Sequence, residues 1–400
     1  MSDVEIGDEE IGLVNDVLRS RTLSCGPMIE RFELEFANRL GTRFAVAVSS
    51  GTAGLHLALI AAGVADGDLV ITSPYSFVAS ANAILYQRAT PVFVDINPAT
   101  LNIDARQVLQ ALEHLQAGGQ DARRWLPRTV AEAGRVKAVM PVHVFGQPAP
   151  IAPIVCAARA YGAAVVEDAC EAIAARYLQR QVGTFGDASV FGFFPNKQMT
   201  MGEGGVIATD DPEWEALFRS LRNQGRDAAG SWLKYSRLGF NYRLDEMSAA
   251  LGLGQLRRLD VLLAKRERVA ALYGERLHIP GVDAIPISPA STRVSWFVYV
   301  VRFAPEIDRD GVIQVLAEDG IPSRPYFPPI HLQTFYRERF GFREGDFPHA
   351  EAASRATLAL PFHANLTADA IDFVVERIAA AVNRCRRDST EHTATTVPSC

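Results

Sequence analysis

The chain has 400 residues, of which 48% are hydrophobic and 22% charged, and its formal net charge is -6. At roughly 150 residues per domain this length leaves room for about two to three domains with a large core, and the composition is ordinary for a globular protein. The acidic balance argues against general binding to nucleic acid, because such binding needs clustered Lys and Arg to displace counterions from phosphates.

The cysteines and the N-terminus bear on the cellular compartment. The five cysteines are scattered and lack the paired spacing of a metal site: Cys25, Cys156, Cys170, Cys385 and Cys400. We expect reduced thiols, no metal ion and a cytoplasmic protein. Residues 1–5 lack the features of a signal peptide, and the apolar stretch 45–65 is interrupted by polar residues, so we expect neither export nor a membrane span.

Strands and helices alternate through the first half of the chain. From residue 44 to 210, runs of β-branched residues are followed by turn residues and Ala/Leu-rich segments, which predicts an α/β fold around a mainly parallel sheet. The strand runs are almost uniformly apolar, so helices are expected on both faces of the sheet. The predicted strands are 44–48, 69–72, 91–94, 138–142, 163–167 and 189–193.

The rest of the chain divides into further parts. The polar stretch 109–135 predicts a helix end and an inserted surface loop, and the pattern of 244–274 predicts a long helix leaving the first domain. We therefore predict a large domain over 1–250 and a small α+β domain over 251–387. Residues 388–400 are rich in Ser and Thr, which predicts a disordered tail.

Lys197 is the first candidate for chemistry. It lies between the aromatic run 191–194 and the glycine cluster 202–205. A free lysine has a pKa of about 10.4, so a reactive amine needs a dry setting or a neighbouring positive charge, and the phenylalanines can supply the former. The alternative is a surface lysine in a loop. A P-loop lysine is excluded, because the Gly before it and the Ser or Thr after it are absent.

Asp168 is the second candidate. It ends the apolar run 163–167, and open parallel sheets bind ligands outside the carboxyl ends of their strands. A carboxylate there can hold a protonated ring nitrogen by a charge-assisted hydrogen bond. The alternative is a helix N-cap. An imine-forming lysine and such an acid together predict a site for pyridoxal 5'-phosphate (PLP).

Further segments suit the remainder of that cofactor. The turn 49–52, with Gly51 and Thr52, follows a strand and opens a helix, so its N–H groups can bind a phosphate; the alternative is an ordinary helix cap. Phe77 follows a strand and can stack on a planar ring, unless it packs in the core. Asn241 can donate to a phosphate, or it is a turn residue.

Taken together, these segments resemble the DegT/DnrJ/EryC1/StrS family of PLP enzymes, chiefly sugar aminotransferases. The resemblance spans residues 26–367. It rests on ordered motifs at 26–27, 49–57, 94–95, 141–146, 167–172, 194–205, 239–243 and 324–331. It implies the type I aminotransferase fold, with a large cofactor-binding domain, a small C-terminal domain, and a homodimer whose active sites lie at the subunit interface.

The resemblance also implies roles for individual residues. Lys197 would hold the internal aldimine and shuttle a proton, and Asp168 would pair with the pyridine nitrogen. Phe77 would lie against the ring. Gly51 and Thr52 would bind the phosphate, which Asn241 would reach from the neighbouring subunit.

Two positions depart from the family pattern. The family often has Ser five residues before the lysine, where this chain has Gly192. It commonly has Gln three residues after the aspartate, where this chain has Glu171, so the resemblance implies that Glu171 lies beside the ring hydroxyl. The segment 326–331 approaches the sugar in the family, which makes Tyr326 and His331 candidate substrate contacts; the alternative is domain packing.

The predicted reaction transfers an amino group from an amino acid, glutamate by family habit, to a keto-sugar nucleotide, with pyridoxamine 5'-phosphate as the intermediate form of the cofactor. Two alternatives use the same scaffold: amination of a cyclitol ketone and a PLP-dependent dehydration. A third is a catalytically silent regulatory protein. Retention of Lys197, Asp168 and the phosphate turn together argues against a silent protein.

Overall fold

The computed structural model describes residues 3–131, 134–226 and 234–386; the predicted tail, 388–400, lies outside them. The helices are α1 (Asp8–Ser20), α2 (Pro27–Leu40), α3 (Gly51–Ala61), α4 (Ala79–Tyr86), α5 (Ala105–Ala117), α6 (Gly119–Arg123), α7 (Ile151–Ala160), α8 (Pro212–Arg222), α9 (Glu246–Arg257), α10 (Leu259–Arg276), α11 (Arg309–Glu318), α12 (Thr334–Phe340), α13 (Pro348–Ala356) and α14 (Ala368–Cys385).

The strands follow the same chain order. They are β1 (Phe44–Val48), β2 (Leu69–Thr72), β3 (Thr90–Phe93), β4 (Val136–Val139), β5 (Ala164–Asp168), β6 (Arg176–Tyr177), β7 (Arg180–Gln181), β8 (Ala188–Gly192), β9 (Gly205–Thr209), β10 (Val282–Ala284), β11 (Ser291–Arg293), β12 (Tyr299–Phe303) and β13 (Thr357–Leu360).

A seven-stranded sheet organises the large domain, in the order β1-β9-β8-β5-β4-β2-β3. The five strands β3, β2, β4, β5 and β8, which are adjacent in this order, pair in parallel. Strand β9 runs antiparallel to both of its neighbours, β8 and β1. The predicted mainly parallel sheet and α/β class are confirmed. Strand β9 was not predicted.

Helices cover both faces of this sheet. On one face, α3 packs against residues such as Val70 and Val166. On the other face, α5 and α7 pack against Leu69, Ile71 and Val165. Because successive strand side chains point to opposite faces, the uniformly apolar strands can fill both layers.

The small domain is built around the antiparallel sheet β10-β12-β13. Its core also takes residues from α10, α11 and α14. The first half of α10 belongs instead to the large domain's core, so the two cores meet along this helix. The boundary at residue 250 stays a prediction.

Two segments differ in detail from their predictions. The helical pattern of 244–274 forms two helices, α9 and α10, which meet at Arg258. The stretch 109–135 contains the end of α5 and the short helix α6. Among the described helices, none has the length and apolar character that crossing a membrane requires.

Candidate active site

A cavity of about 510 Å³ lies where several strands of the large sheet end, as expected for ligands of an open α/β sheet. Segments that follow β1, β2, β5 and β8 line it, together with the loop 325–328. Seven residues predicted from the sequence lie on its wall: Gly51, Thr52, Phe77, Asp168, Glu171, Lys197 and Tyr326.

Lys197 lies in the connection between β8 and β9. Its side chain is only 15% exposed, and its Nζ lies 3.6 Å from Oε1 of Glu171. The same Nζ lies 4.0 Å from the centroid of the Phe297 ring. The alternative of a surface lysine is therefore wrong: the amine is held between an aromatic face and a carboxyl group in a largely dry setting.

Asp168 is the last residue of β5 and is almost fully buried. One carboxylate oxygen accepts a hydrogen bond from the Ser80 hydroxyl at 2.7 Å, and the other accepts from the backbone N–H of Cys170 at 3.2 Å. The chain continues from Asp168 into turns, so the alternative of a helix N-cap is wrong. The two donors fix the orientation of the carboxylate in the cavity wall.

Glu171 shares the wall with Lys197. One of its carboxyl oxygens accepts from the backbone N–H of Phe145 at 2.9 Å, while the other lies near the lysine amine. Burial raises the pKa of Glu171, and the nearby Asp168 raises it further, although Lys197 and the Phe145 N–H act in the opposite direction. Burial of this carboxyl group thus favours its protonated form.

The turn between β1 and α3 presents a helix N-terminus to the cavity. Ser50 caps α3, since its hydroxyl accepts from the Ala53 N–H at 3.1 Å. Gly51 has no room for a side chain, because a Cβ there would lie 2.8 Å from Sγ of Cys170 and 3.3 Å from Cα of Gly192. The free N–H groups of such a helix end attract anions.

Two aromatic residues lie on the wall as expected. The Phe77 side chain is 62% exposed, so the alternative of core packing is wrong. Tyr326 stacks on Phe327 and on Phe145, and burial together with the neighbouring Glu171 raises the pKa of its hydroxyl.

His331 lies away from the cavity and is fully buried. Its Nε2 is 2.9 Å from Oε1 of Glu351, and its ring packs edge-on against Phe342 and Phe347. The expected contact between His331 and the substrate is corrected on this ground: the histidine is buried against aromatic rings and does not line the cavity, as the packing alternative predicted.

Asn241 is exposed and does not line the cavity of its own chain. Its neighbour Tyr242 is tied to the phosphate turn, because the Ser49 N–H donates to the Tyr242 carbonyl at 2.9 Å. The Tyr242 hydroxyl also lies 3.2 Å from Nδ1 of the buried His56 in α3. The segment that carries Asn241 is therefore anchored on the large domain with Asn241 facing outward.

Several wall or support residues were not predicted as parts of the site. Ser80 contacts Asp168 and Phe297 contacts Lys197, and both line the cavity. Other lining residues include Cys170, Asn196 and Glu203. Ser80 had a weak signal, since it follows Phe77 by three residues at the start of α4. Phe297 had none, because it lies a hundred residues beyond the lysine.

These residues fit PLP. A buried amine, a fixed buried carboxylate and a helix N-terminus line one cavity, and they match the aldehyde, the ring nitrogen and the phosphate of that cofactor. Because Gly51 approaches Cys170 and Gly192 too closely for a side chain, only its backbone is present where a phosphate would bind. Within the described ranges, no cluster of His, Cys, Asp or Glu could hold a metal ion.

Comparison with known proteins agrees with this chemistry. The profile of the DegT/DnrJ/EryC1/StrS aminotransferase family matches residues 4–379. GDP-perosamine synthase of Caulobacter vibrioides is 40% identical over 88% of this chain and 89% of its own length. The spore coat polysaccharide biosynthesis protein SpsC of Bacillus subtilis is 37% identical, over 93% and 94% of the two chains.

A solved structure leads to the same conclusion. PseC of Helicobacter pylori, an aminotransferase involved in the biosynthesis of pseudoaminic acid, superposes with a TM-score of 0.84 at 26% identity, over 96% of this chain and 98% of its own. The fold is therefore that of these aminotransferases, which depend on PLP. The chain belongs to the DegT/DnrJ/EryC1/StrS aminotransferase family.

Proposed function

We propose that the protein transfers an amino group from an amino acid, glutamate in the first instance, to a keto-sugar nucleotide, with PLP held in the cavity described above. The observation that carries the proposal is the placement of Lys197, Asp168 and the N-terminus of α3 on the wall of one cavity. The name of the GDP-perosamine synthase supports a nucleotide-linked substrate.

Each wall residue then has a defined task. When its ring nitrogen is protonated, the cofactor supplies an electron sink for the carbon that exchanges its proton. Asp168, fixed by Ser80 and the Cys170 N–H, favours that protonated nitrogen. Lys197 holds the cofactor through its amine and moves the proton as general acid and base.

The remaining residues bind and orient the cofactor. Gly51 and Thr52, at the start of α3, donate backbone N–H groups to the phosphate. Phe77, exposed at the wall, covers the ring. Glu171, next to Lys197, contributes a protonated carboxyl group beside the ring hydroxyl, where an ionised one would repel the oxygen.

A second groove offers room for the nucleotide. It has a volume of about 670 Å³ and shares Phe77, Phe327 and Pro328 with the cavity. Large aromatic side chains line it, including the exposed rings of Tyr86 and Phe335, and Arg339 is the charged residue on its wall. Aromatic faces suit a nucleobase and a guanidinium suits a diphosphate.

The exposed Asn241 supports a homodimer with shared active sites. Because this residue is exposed and does not line the cavity of its own chain, it is available to a cavity of a second subunit. We propose that it donates to the cofactor phosphate bound there.

Borohydride reduction of the purified holoprotein tests the proposal directly. Mass spectrometry should find the cofactor adduct on Lys197, and Lys197→Ala should lose the adduct, its absorbance and all turnover. Lys265→Ala is the matched control, because this lysine pairs with Glu5 away from the cavity, and it should behave as wild type. An adduct on another lysine, or transamination by Lys197→Ala, would refute the assignment.

A substrate panel separates the alternatives. With glutamate as donor, keto-sugar nucleotides should be aminated, whereas the same keto-sugars without nucleotide, and cyclitol ketones, should react at least tenfold more slowly. Preferential amination of cyclitol ketones would favour the cyclitol alternative, and loss of water without amination would favour the dehydratase. No reaction with any of them, despite bound cofactor, would favour a silent protein.

A further inference from the structure

Arg266, in the middle of α10, makes an unusual set of contacts behind the lysine. Its side chain is buried, with 6% of the residue exposed. One terminal nitrogen, Nη2, donates to the backbone carbonyl of Lys197 at 2.9 Å. The other, Nη1, donates to the carbonyls of Trp296 and Phe297, each at 3.2 Å. A single guanidinium thus holds the two backbone segments that meet at the lysine amine.

The guanidinium has no carboxylate partner among the described residues. Carbonyl oxygens are its acceptors, its Nε has no hydrogen-bond partner there, and the ring of Phe362 lies 5.6 Å from its Cζ. Burial lowers the pKa of Arg266 to about 10. A buried cation without a counter-ion is costly, so its placement needs a reason beyond packing.

The segments that it joins carry the two partners of one contact. The Lys197 amine lies over the Phe297 ring, and Arg266 holds the main chain of both residues. Gln198 reinforces the same junction, because its buried amide donates to the Glu171 carbonyl at 2.6 Å and to the Ser295 carbonyl at 3.0 Å. These hydrogen bonds keep Lys197, the Phe297 ring and Glu171 in fixed positions relative to one another.

We propose that Arg266 is a positioning residue for the reaction, which fixes the Lys197 amine against Phe297 and Glu171 by binding the main chain on both sides. The inference rests on the proposed function of Lys197. Since α10 packs in the cores of both domains, this contact also ties the lysine to the small domain. A misplacement of about 1 Å in an active site costs on the order of 100-fold in rate.

The test compares Arg266→Met and Arg266→Lys with a matched control. Arg309 is also largely buried, and one of its nitrogens donates to the carbonyls of Ser354 and Thr357, but it does not line the cavity. Each variant is purified with cofactor, and three quantities are measured: kcat, KM for the amino donor, and the pH midpoint of the absorbance change of cofactor bound to Lys197.

We expect Arg266→Met to lower kcat about 10- to 100-fold with little change in KM, and to raise the pH midpoint, because a positive charge near the lysine is removed. Arg266→Lys keeps that charge and should restore the midpoint, with only partial recovery of kcat. Arg309→Met should lose thermal stability, while its kcat stays within twofold of wild type and its pH midpoint does not change. A kcat and midpoint unchanged in Arg266→Met, or changed equally in Arg309→Met, would overturn the proposal.

Gln198→Ala covers the case in which Arg266→Met fails to fold. This change loosens the same junction without burying or removing a charge. We therefore expect a lower kcat with an unchanged pH midpoint of the cofactor absorbance. A wild-type kcat in both Gln198→Ala and Arg266→Lys would overturn the proposal. The failure of the proposed function is distinguishable, because wild-type protein would then show no cofactor adduct on Lys197, or would bind the cofactor and aminate none of the substrates.

Discussion

At the scale of single residues, the sequence predicts those site residues whose neighbours in the chain form a recognisable pattern. Lys197 and Asp168 each stand beside an apolar run, and that pattern placed both on the cavity wall. Phe297 contacts Lys197 from 100 residues away along the chain, and no local pattern marks such a partner; Ser80, which is 88 residues from Asp168, had only the weak signal of its place after Phe77. His331 shows the reverse error: its segment was expected near the substrate, but packing against aromatic rings keeps it buried.

Glu171 gives a prediction with a definite sign. Its pKa is raised in the folded protein, chiefly by burial, so the folded state binds a proton more tightly than the unfolded state. Its contribution to stability is then complete below the ordinary carboxyl value of 4.5 and is lost as pH rises through the folded-state pKa. We expect the melting temperature of Glu171→Gln, relative to wild type, to increase as pH rises from 4.5 to 8.

Cofactor-free protein is the right sample, because cofactor binding then adds nothing to the difference in melting temperature between Glu171→Gln and wild type. Glu344→Gln is a suitable control, since that carboxylate is exposed in a surface ion pair and its effect should vary little with pH. A difference between Glu171→Gln and wild type that stays constant over this range would contradict the raised pKa.

At the scale of elements, buried strands were the easiest to predict. The bounds of β1 and β2 agree with the sequence prediction because every position in them is apolar or lies in the sheet interior. Strand β9 was missed because it begins within the glycine cluster 202–205, and glycine is uncommon in strands. The break at Arg258 was missed because the helical pattern continues across it, while its guanidinium pairs with Glu10 of α1.

The start of α3 yields a prediction on backbone contact. Gly51→Ala should lower the affinity for the cofactor at least tenfold and destabilise the protein by about 1–3 kcal/mol, as overpacking does, because the new methyl group collides with Sγ of Cys170. Gly192→Ser should be tolerated, since a Cβ there lies 3.5 Å from Cys170. Fluorescence titration with PLP and thermal melts measure both effects.

The double variant Gly51→Ala, Cys170→Ala is the internal control. Removing the sulfur frees most of the space that the methyl group needs, so a substantial part of the lost affinity and stability should return. If the double variant is as weak as Gly51→Ala, the collision is not the cause.

At the scale of the whole molecule, the ordered motifs identified the family and the fold, both confirmed by the comparisons and by the sheet order. The arrangement of subunits could not be derived from one chain in the same way. Asn241 shows why: the role proposed for it requires a second subunit.

Mixing two variants tests the shared site. Lys197→Ala and Asn241→Ala should each be strongly impaired as homodimers. In a mixed dimer one site would carry both changes and the other none, so random mixing should restore about one quarter of wild-type activity, because half of the dimers are mixed and each has one intact site. Size-exclusion chromatography with light scattering confirms the assembly. Activity that never exceeds the sum of the two variants would exclude sharing through Asn241.

The antiparallel direction of strand β9 has a consequence for the position of Lys197. If β9 ran parallel to β8, the chain would have to return from the carboxyl end of β8 to the opposite end of the sheet before β9 could begin. Instead the chain reverses direction, and Gly192 at the end of β8 pairs with Gly205 at the start of β9, so these two residues flank the segment that carries Lys197. Both ends of the segment are therefore held by strand pairing in the large sheet, so the strands and the Arg266 contact from α10 together determine where the Lys197 amine lies.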